Sequence, residues 1–228
     1  MKICICDKNL PKISKDMLMD FGFLLVETLE LKDFNFPLKT HPDIQVCKIK
    51  ENLIVVEPSV YTYYHNLLSN YGIIVKSGEK IVEDIYPKDC PYNLATNGKI
   101  AIHNFNITDE KILNEIDFEK IHVNQGYGKC NVLFTKSGII TSDKGIYKAL
   151  GDRRKLLISQ GEIELDGFDY GFIGGASGYS KELYFTGNIQ NHKDFEKIKQ
   201  FLIEESTEYK ILGDYKLKDF GSLIFLEN

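Results

Sequence analysis

One pattern recurs five times along this chain, and it limits the fold more than any single motif. Each occurrence reads as a short apolar strand, a turn, a second apolar strand, a helix and a third apolar strand. The clearest unit runs DIQVCKI, the turn KEN, LIVVEP, a helix over SVYTYYHNLLSN, Gly72 and IIVKS. Ser59 stands where an N-cap belongs, and Gly72 where a helix stops. The next runs NLAT, the turn Asn97-Gly98, KIAIHN, a helix over ITDEKILNEI, then KIHV. An Asn-Gly pair between alternating residues is a strong hairpin signal. The third runs CNVLFT, KSG, IITS, a helix over DKGIYKAL, Gly151 and KLLIS, and the fourth GFIGGASG, ELYFTG, a helix over HKDFEKIKQFLIEES, then YKIL. The fifth is divided between the ends. GSLIFLEN supplies its first strand; KICIC, a helix over PKISKDMLMDF, Gly22 and FLLVET supply the rest.

One residue from each second strand measures the period. Ile3, Ile54, Ile100, Ile140 and Tyr184 are separated by 51, 46, 40 and 44 residues, and the step from 184 through the termini back to 3 is 47. Five similar steps use the whole chain. No unit can bury its apolar face alone, whereas five around an axis can, and closure removes sheet edges. The expectation is one domain over residues 1–228, with Met1 and Asn228 adjacent through strand pairing. The competing reading is an ordinary α+β domain whose helices and strands alternate by coincidence.

Composition narrows the function classes. The 228 residues are 43% hydrophobic and 27% charged, as in soluble globular domains. No apolar run reaches the length of a membrane span, and the apolar start of MKICICDKNL is too short for a signal peptide. The net charge is −5, and basic residues cluster only at Arg153-Arg154-Lys155, so a nucleic-acid surface is not indicated. The five cysteines, Cys4, Cys6, Cys47, Cys90 and Cys130, form no CxxC pair, and no histidine stands at zinc-finger spacing. An odd count with no mark of secretion points to a reducing cytoplasm. Gly174-Gly175-Ala176-Ser177-Gly178 lacks the Lys-Ser/Thr of a phosphate loop.

The five-unit grammar resembles the pentein, or five-bladed β/α-propeller, fold of the guanidine-modifying enzyme superfamily, and most closely an uncharacterised clostridial-type family of that fold. The fold class the resemblance implies is α+β, in the form of an α/β propeller: a five-fold pseudosymmetric ring of ββαβ units. The chain is cut elsewhere than in the enzymes and looks circularly permuted relative to them, with the fifth unit closed by the N- and C-terminal strands. In the enzymes an H-x-D histidine acts as general acid-base. A cysteine about two repeats later attacks the substrate carbon, and an acid about one repeat before the histidine completes the set. His41-Pro42-Asp43 resembles that motif. Cys130 follows the glycine-rich GYGK and stands 89 residues after His41, and Asp219 lies one repeat before His41 counted through the termini. The resemblance thus implies catalytic roles for Cys130, His41 and Asp219, a substrate-binding role for Asp43, and a small cationic substrate with no cofactor and no metal. Gly174 and Gly175 are expected to let backbone approach a ligand at the axis. Two departures matter: the usual Glu-Gly-Gly-Asp reads Lys218-Asp219-Phe220-Gly221, and the slot of the substrate-holding aspartate reads Phe172-Ile173-Gly174-Gly175, with Asp169 the nearest acid.

Each of these residues also has a bland reading. Cys130 can be a small apolar residue opening a strand, since free cysteine is among the most buried types. His41 can be a loop residue held extended by Pro42. Asp43 and Asp219 can bond backbone amides in turns. Cys90, eight residues before its turn glycine as Cys130 is before Gly138, is the alternative nucleophile. Cys47, on one strand face with Asp43 and Gln45, and the pair Cys4 and Cys6 read as core. The stripe Tyr61, Tyr64, Leu67 and Leu68 reads as a core-facing helix. Two functional readings therefore stay open. One is a cysteine-dependent hydrolase of a guanidine or amidine. The other is a non-catalytic pentein that binds a protein, the ribosome or a small cationic ligand. The oligomeric state is not legible.

Overall fold

The structure is a computed structural model and describes residues 1–32, 34 and 37–227. The first segment holds strand β1 (Lys2–Cys6), helix α1 (Lys12–Asp20) and strand β2 (Leu24–Glu27). Next come α2 (Pro42–Gln45), β3 (Val46–Lys50), β4 (Leu53–Val56), α3 (Tyr61–Leu68) and β5 (Ile74–Ser77). The following segment holds β6 (Ala95–Thr96), β7 (Ile100–His103), α4 (Glu110–Glu115) and β8 (Glu119–His122). After it come α5 (Gly128–Asn131), β9 (Val132–Phe134), β10 (Ile139–Thr141), α6 (Lys144–Ala149) and β11 (Lys155–Leu157). The chain ends with β12 (Ser177–Tyr179), β13 (Leu183–Phe185), α7 (Phe195–Glu204), β14 (Tyr209–Ile211) and β15 (Ile224–Glu227).

These strands form five three-stranded sheets, in the orders β15-β1-β2, β3-β4-β5, β6-β7-β8, β9-β10-β11 and β12-β13-β14. In each, the middle strand pairs antiparallel with the strand before it and parallel with the strand after the helix. The architecture is mixed α/β, and the five units follow the repeat read from the sequence. The divided unit is joined as expected, with Lys2 opposite Glu227 and Ile5 opposite Ile224. Asn228 itself lies outside the described residues.

The middle strands are apolar because both faces are covered. Ile54, Val55 and Val56 are buried, as are Cys4 and Cys6, and burial pushes both thiols up, Cys6 to about 12. Cys47 is likewise core. Helix α7 buries Ile198, Phe201 and Leu202 and leaves Ile203 exposed, the spacing of a one-faced helix. Helix α3 buries Tyr64 and Leu68 but leaves Leu67 exposed, so its buried stripe is narrower than the sequence suggests. Gly22 and Gly72 have φ of +85° and +75° after their helices, a conformation a side chain disfavours. No helix among the described residues is long and apolar enough to cross a membrane.

Three local expectations are corrected. Residues 43–45 and 130–131 belong to the one-turn helices α2 and α5, and strands β3 and β9 begin only at Val46 and Val132. The strand alternation of Asp43, Gln45 and Cys47 therefore does not hold. The cause at α2 is Pro42, whose fixed φ suits the first helical position. Ser59 does not cap α3: a one-turn 3-10 segment, Pro58–Val60, leads into the helix, and Glu57 caps that segment by accepting from Ser59 N at 2.7 Å. Cys90 stands five residues before its strand β6, whereas Cys130 stands two before β9, so the two are not equivalent.

The turns that precede the five first strands are joined in a cycle of hydrogen bonds. Cys130 N donates to Asn93 Oδ1, and Gly175 N to Cys130 O. Phe220 N and Ser222 N both donate to Gly175 O, Asp43 N to Gly221 O, and Asn93 Nδ2 to Asp43 O. Every link crosses from one unit to the next. The five first strands also line a common cavity through Lys48, Thr96, Leu133, Tyr179 and Phe225.

Candidate functional site

The turn cycle gathers side chains that are remote in sequence. His41 holds an extended backbone (φ −63°, ψ 125°) ahead of Pro42 and is buried. Gly221 lies against it: a Cβ there would stand 2.3 Å from His41 Cβ, and its φ is +69°. Space and conformation both require glycine at that position. Cys130 sits in α5 beside Asn93, whose amide donates to its sulfur at 3.2 Å and accepts from its backbone N–H at 3.1 Å. Asp219 is fixed by the backbone N–H groups of Phe172 and Gly221, each at 2.9 Å.

His41, Cys130 and Asp219 line one cavity of about 270 Å³. Tyr127, Phe168, Tyr170 and Phe172 supply its aromatic walls, and Asp169 stands exposed at the rim. Among the described residues that line it there is no lysine or arginine. Asp43 lies beneath the thiol, where its Oδ2 accepts from Cys130 Sγ at 3.0 Å and from Ser222 Oγ at 2.7 Å. Its Oδ1 is a buried acceptor with no partner among the described residues.

The electrostatics favour neutral groups. Burial, then the charges of Asp43 and Asp219, hold the Cys130 thiol well above its usual range. Burial lifts the Asp219 carboxyl from its ordinary 3.8 to about 6, with His41 opposing and Asp43 adding to the rise. Each buried negative charge makes the next harder to form.

The structure thus brings Cys130, His41 and Asp219 to one cavity and sets Asp43 against the thiol. It corrects the expectation for the two glycines. A Cβ on Gly175 would lie 2.1 Å from Asp219 Oδ1, and one on Gly174 would lie 2.2 Å from Lys129 O. Their close approaches are to protein atoms, so they shape the acid and the α5 turn and do not line the cavity. Cys90 is also set apart. Its thiol donates to Asp89 Oδ1 at 2.9 Å, outside the residues lining this cavity.

Four contributors are not legible in the sequence. Asp7 stands with an oxygen 4.0 Å from His41 Nε2, a charge contact too long for a hydrogen bond. It is positioned by Thr40 Oγ1 and Asn9 N, and burial raises its carboxyl, with His41 opposing. The available signal was an acid ending an apolar middle strand, as Glu57 ends β4. Asn93, Tyr127 and Ser222 carry no local signal; only the turn cycle assigns them. Tyr127 donates a short hydrogen bond to Asp89 Oδ2 and so closes one wall.

Compared with known families, the chain matches a family of unknown function, DUF6873, over residues 5–224. The chain belongs to that family. No curated protein matches it.

Proposed function

We propose that the five units form a closed pentein-type ring in a single domain, and that the cavity is the site of a cysteine-dependent hydrolase of a small guanidine or amidine. The observation that carries this reading is the convergence of Cys130, His41 and Asp219 on one cavity from three separate units. The cycle of turn hydrogen bonds and the cavity shared by the five first strands support the ring.

In the proposed reaction the substrate cation binds near Asp219 and Asp43, and its charge offsets the carboxylates that keep Cys130 neutral. His41 takes the thiol proton, and the sulfur attacks the amidino carbon to form a C–S bond. His41 protonates the departing nitrogen as the C–N bond breaks, leaving a thiouronium-like adduct. His41 then takes a proton from water, the hydroxide adds to the same carbon, and the C–S bond breaks to return the thiolate. The organic product is a urea or an amide. The aromatic walls, and a lining without lysine or arginine, fit a substrate that carries no carboxylate.

One observation favours the second reading, a binding site without turnover for a small cation or a protein partner such as the ribosome: both Cys130 and Asp219 are pushed toward their neutral forms in the free protein. A chloro-substituted amidine separates the two. Rapid, saturable labelling of Cys130 alone, lost in His41→Ala, is the expected result. Slow labelling spread over several cysteines and unchanged by the mutation would remove the hydrolase reading.

A further inference from the structure

The larger cavity of about 470 Å³, lined by the five first strands, has a different chemistry from the Cys130 cavity. Six lysines face it: Lys48, Lys50, Lys99, Lys129, Lys136 and Lys181. Two acids, Glu51 and Glu227, share the lining. Lys48 is paired with Glu51 at 2.8 Å, and Lys50 is paired outward with Asp117 at 3.4 Å. Lys99, Lys129, Lys136 and Lys181 have no side-chain hydrogen bond or ion pair among the described residues. A chain of net charge −5 thus gathers four unmatched cations against one remaining acid.

Lys129 is the informative member. It precedes Cys130 in α5, and its backbone N–H is held by Asn93 O at 2.8 Å, so the stem is fixed by the turn cycle. Burial pushes its ammonium below the usual lysine range, with Asp43 and Cys130 opposing. Lys129 is half-buried and lines the cavity with no side-chain hydrogen bond or ion pair among the described residues, so an anion entering the cavity would be its first charged partner. Glu227 Oε1 is a buried acceptor, also without a partner among the described residues. A ligand that satisfies both ends must carry several negative charges and at least one hydroxyl or protonated oxygen.

We infer that this cavity is a binding site for a small, multiply phosphorylated anion, anchored by Lys129 and ringed by Lys99, Lys136 and Lys181. A phosphate group offers oxygens to several ammonium donors at once and keeps a proton for Glu227. The inference rests on this cavity alone and does not depend on the hydrolase reading.

Calorimetric titration at low salt tests it, with inorganic tripolyphosphate and with a sugar bisphosphate as probes. Saturable single-site binding is expected, and the tighter probe tells a free polyphosphate from a phosphate ester. Lys129→Met should weaken it about tenfold, the effect of losing one charge-assisted hydrogen bond. Lys99→Ala with Lys181→Ala should weaken it at least as much; both side chains are exposed, so folding is not at stake. Lys12→Ala on α1, which removes one charge outside the cavity lining as Lys129→Met removes one within it, should leave it unchanged. Absence of saturable binding to either probe, or an equal loss in Lys12→Ala, would overturn the assignment.

Discussion

Cys130 Sγ donates a 3.0 Å hydrogen bond to Asp43 Oδ2, joining two turns 87 residues apart. The bond fixes the nucleophile candidate in its least reactive form, because the carboxylate both accepts the thiol proton and repels the thiolate. Asp43→Asn keeps the shape and removes the charge. Its thiol should be alkylated by iodoacetamide several-fold faster at neutral pH, because the thiolate no longer faces that carboxylate. The same variant should lose any preference of Cys130 for amidine electrophiles, since the cation's partner is gone. Unchanged alkylation in a folded variant would mean that burial alone keeps the thiol neutral.

Asp219 couples the site to stability. Its carboxyl is raised from 3.8 to about 6 in the folded protein, so the folded state holds a proton that the unfolded state releases. The stabilisation is complete below about pH 4 and is lost as pH rises through about 6. A rise of that size corresponds to roughly 3 kcal/mol as an upper order of magnitude. Denaturant unfolding of wild type and Asp219→Asn at pH 4 and pH 7 measures it. Relative to the mutant, wild type should be more stable at the lower pH. A gap independent of pH would mean that Asp219 ionises at its ordinary value.

Asn93 ties three units together through one side chain. Its amide serves Cys130 Sγ, Cys130 N and Asp43 O, and it is fully buried. Asn93→Ala leaves a buried backbone N–H and a buried carbonyl without that partner, at about 1–3 kcal/mol each. A loss of about 2–6 kcal/mol in unfolding free energy is expected, together with slower amidine labelling of Cys130. A loss below about 0.5 kcal/mol, the range of ordinary surface substitutions, would show that the turn cycle does not depend on this residue.

The repeat was legible because its signals are local: apolar middle strands, Asn97-Gly98, and glycines that stop α1 and α3. The one-turn helices before β3 and β9 were not, because four residues carry no periodicity and Cys130 follows a glycine-rich stretch that reads equally as a loop. Cys130, His41 and Asp219 stand out only through the resemblance to the pentein enzymes, whose motif order they match across the five units. Asn93 and Ser222 do not, since a buried amide or hydroxyl announces itself only through partners dozens of residues away, and Asp7 is marked only by its place at the end of an apolar middle strand. Gly174 and Gly175 show the converse failure. Their small size reads as room for a ligand, whereas Asp219 and the Lys129 carbonyl occupy that room.

The seam between the chain ends supplies the sharpest test of closure. Strand β15 pairs with β1 from Lys2↔Glu227 to Ile5↔Ile224, and Leu223, Ile224, Phe225 and Leu226 are all buried. At about 1.5–3 kcal/mol per buried side chain, their loss amounts to roughly 6–12 kcal/mol, comparable to the whole stability of a domain. A chain ending at Gly221 should therefore show no cooperative unfolding transition. A circular permutant that links Asn228 to Met1 and opens between Gly161 and Glu162 keeps every one of those contacts. Gly161 is exposed with φ of +87°, in a turn outside the sheets. The permutant should unfold cooperatively within a few degrees of wild type and retain the labelling behaviour of Cys130. If it folds no better than the truncated chain, the terminal strands do not close the fifth unit in solution, and the ring reading fails with them.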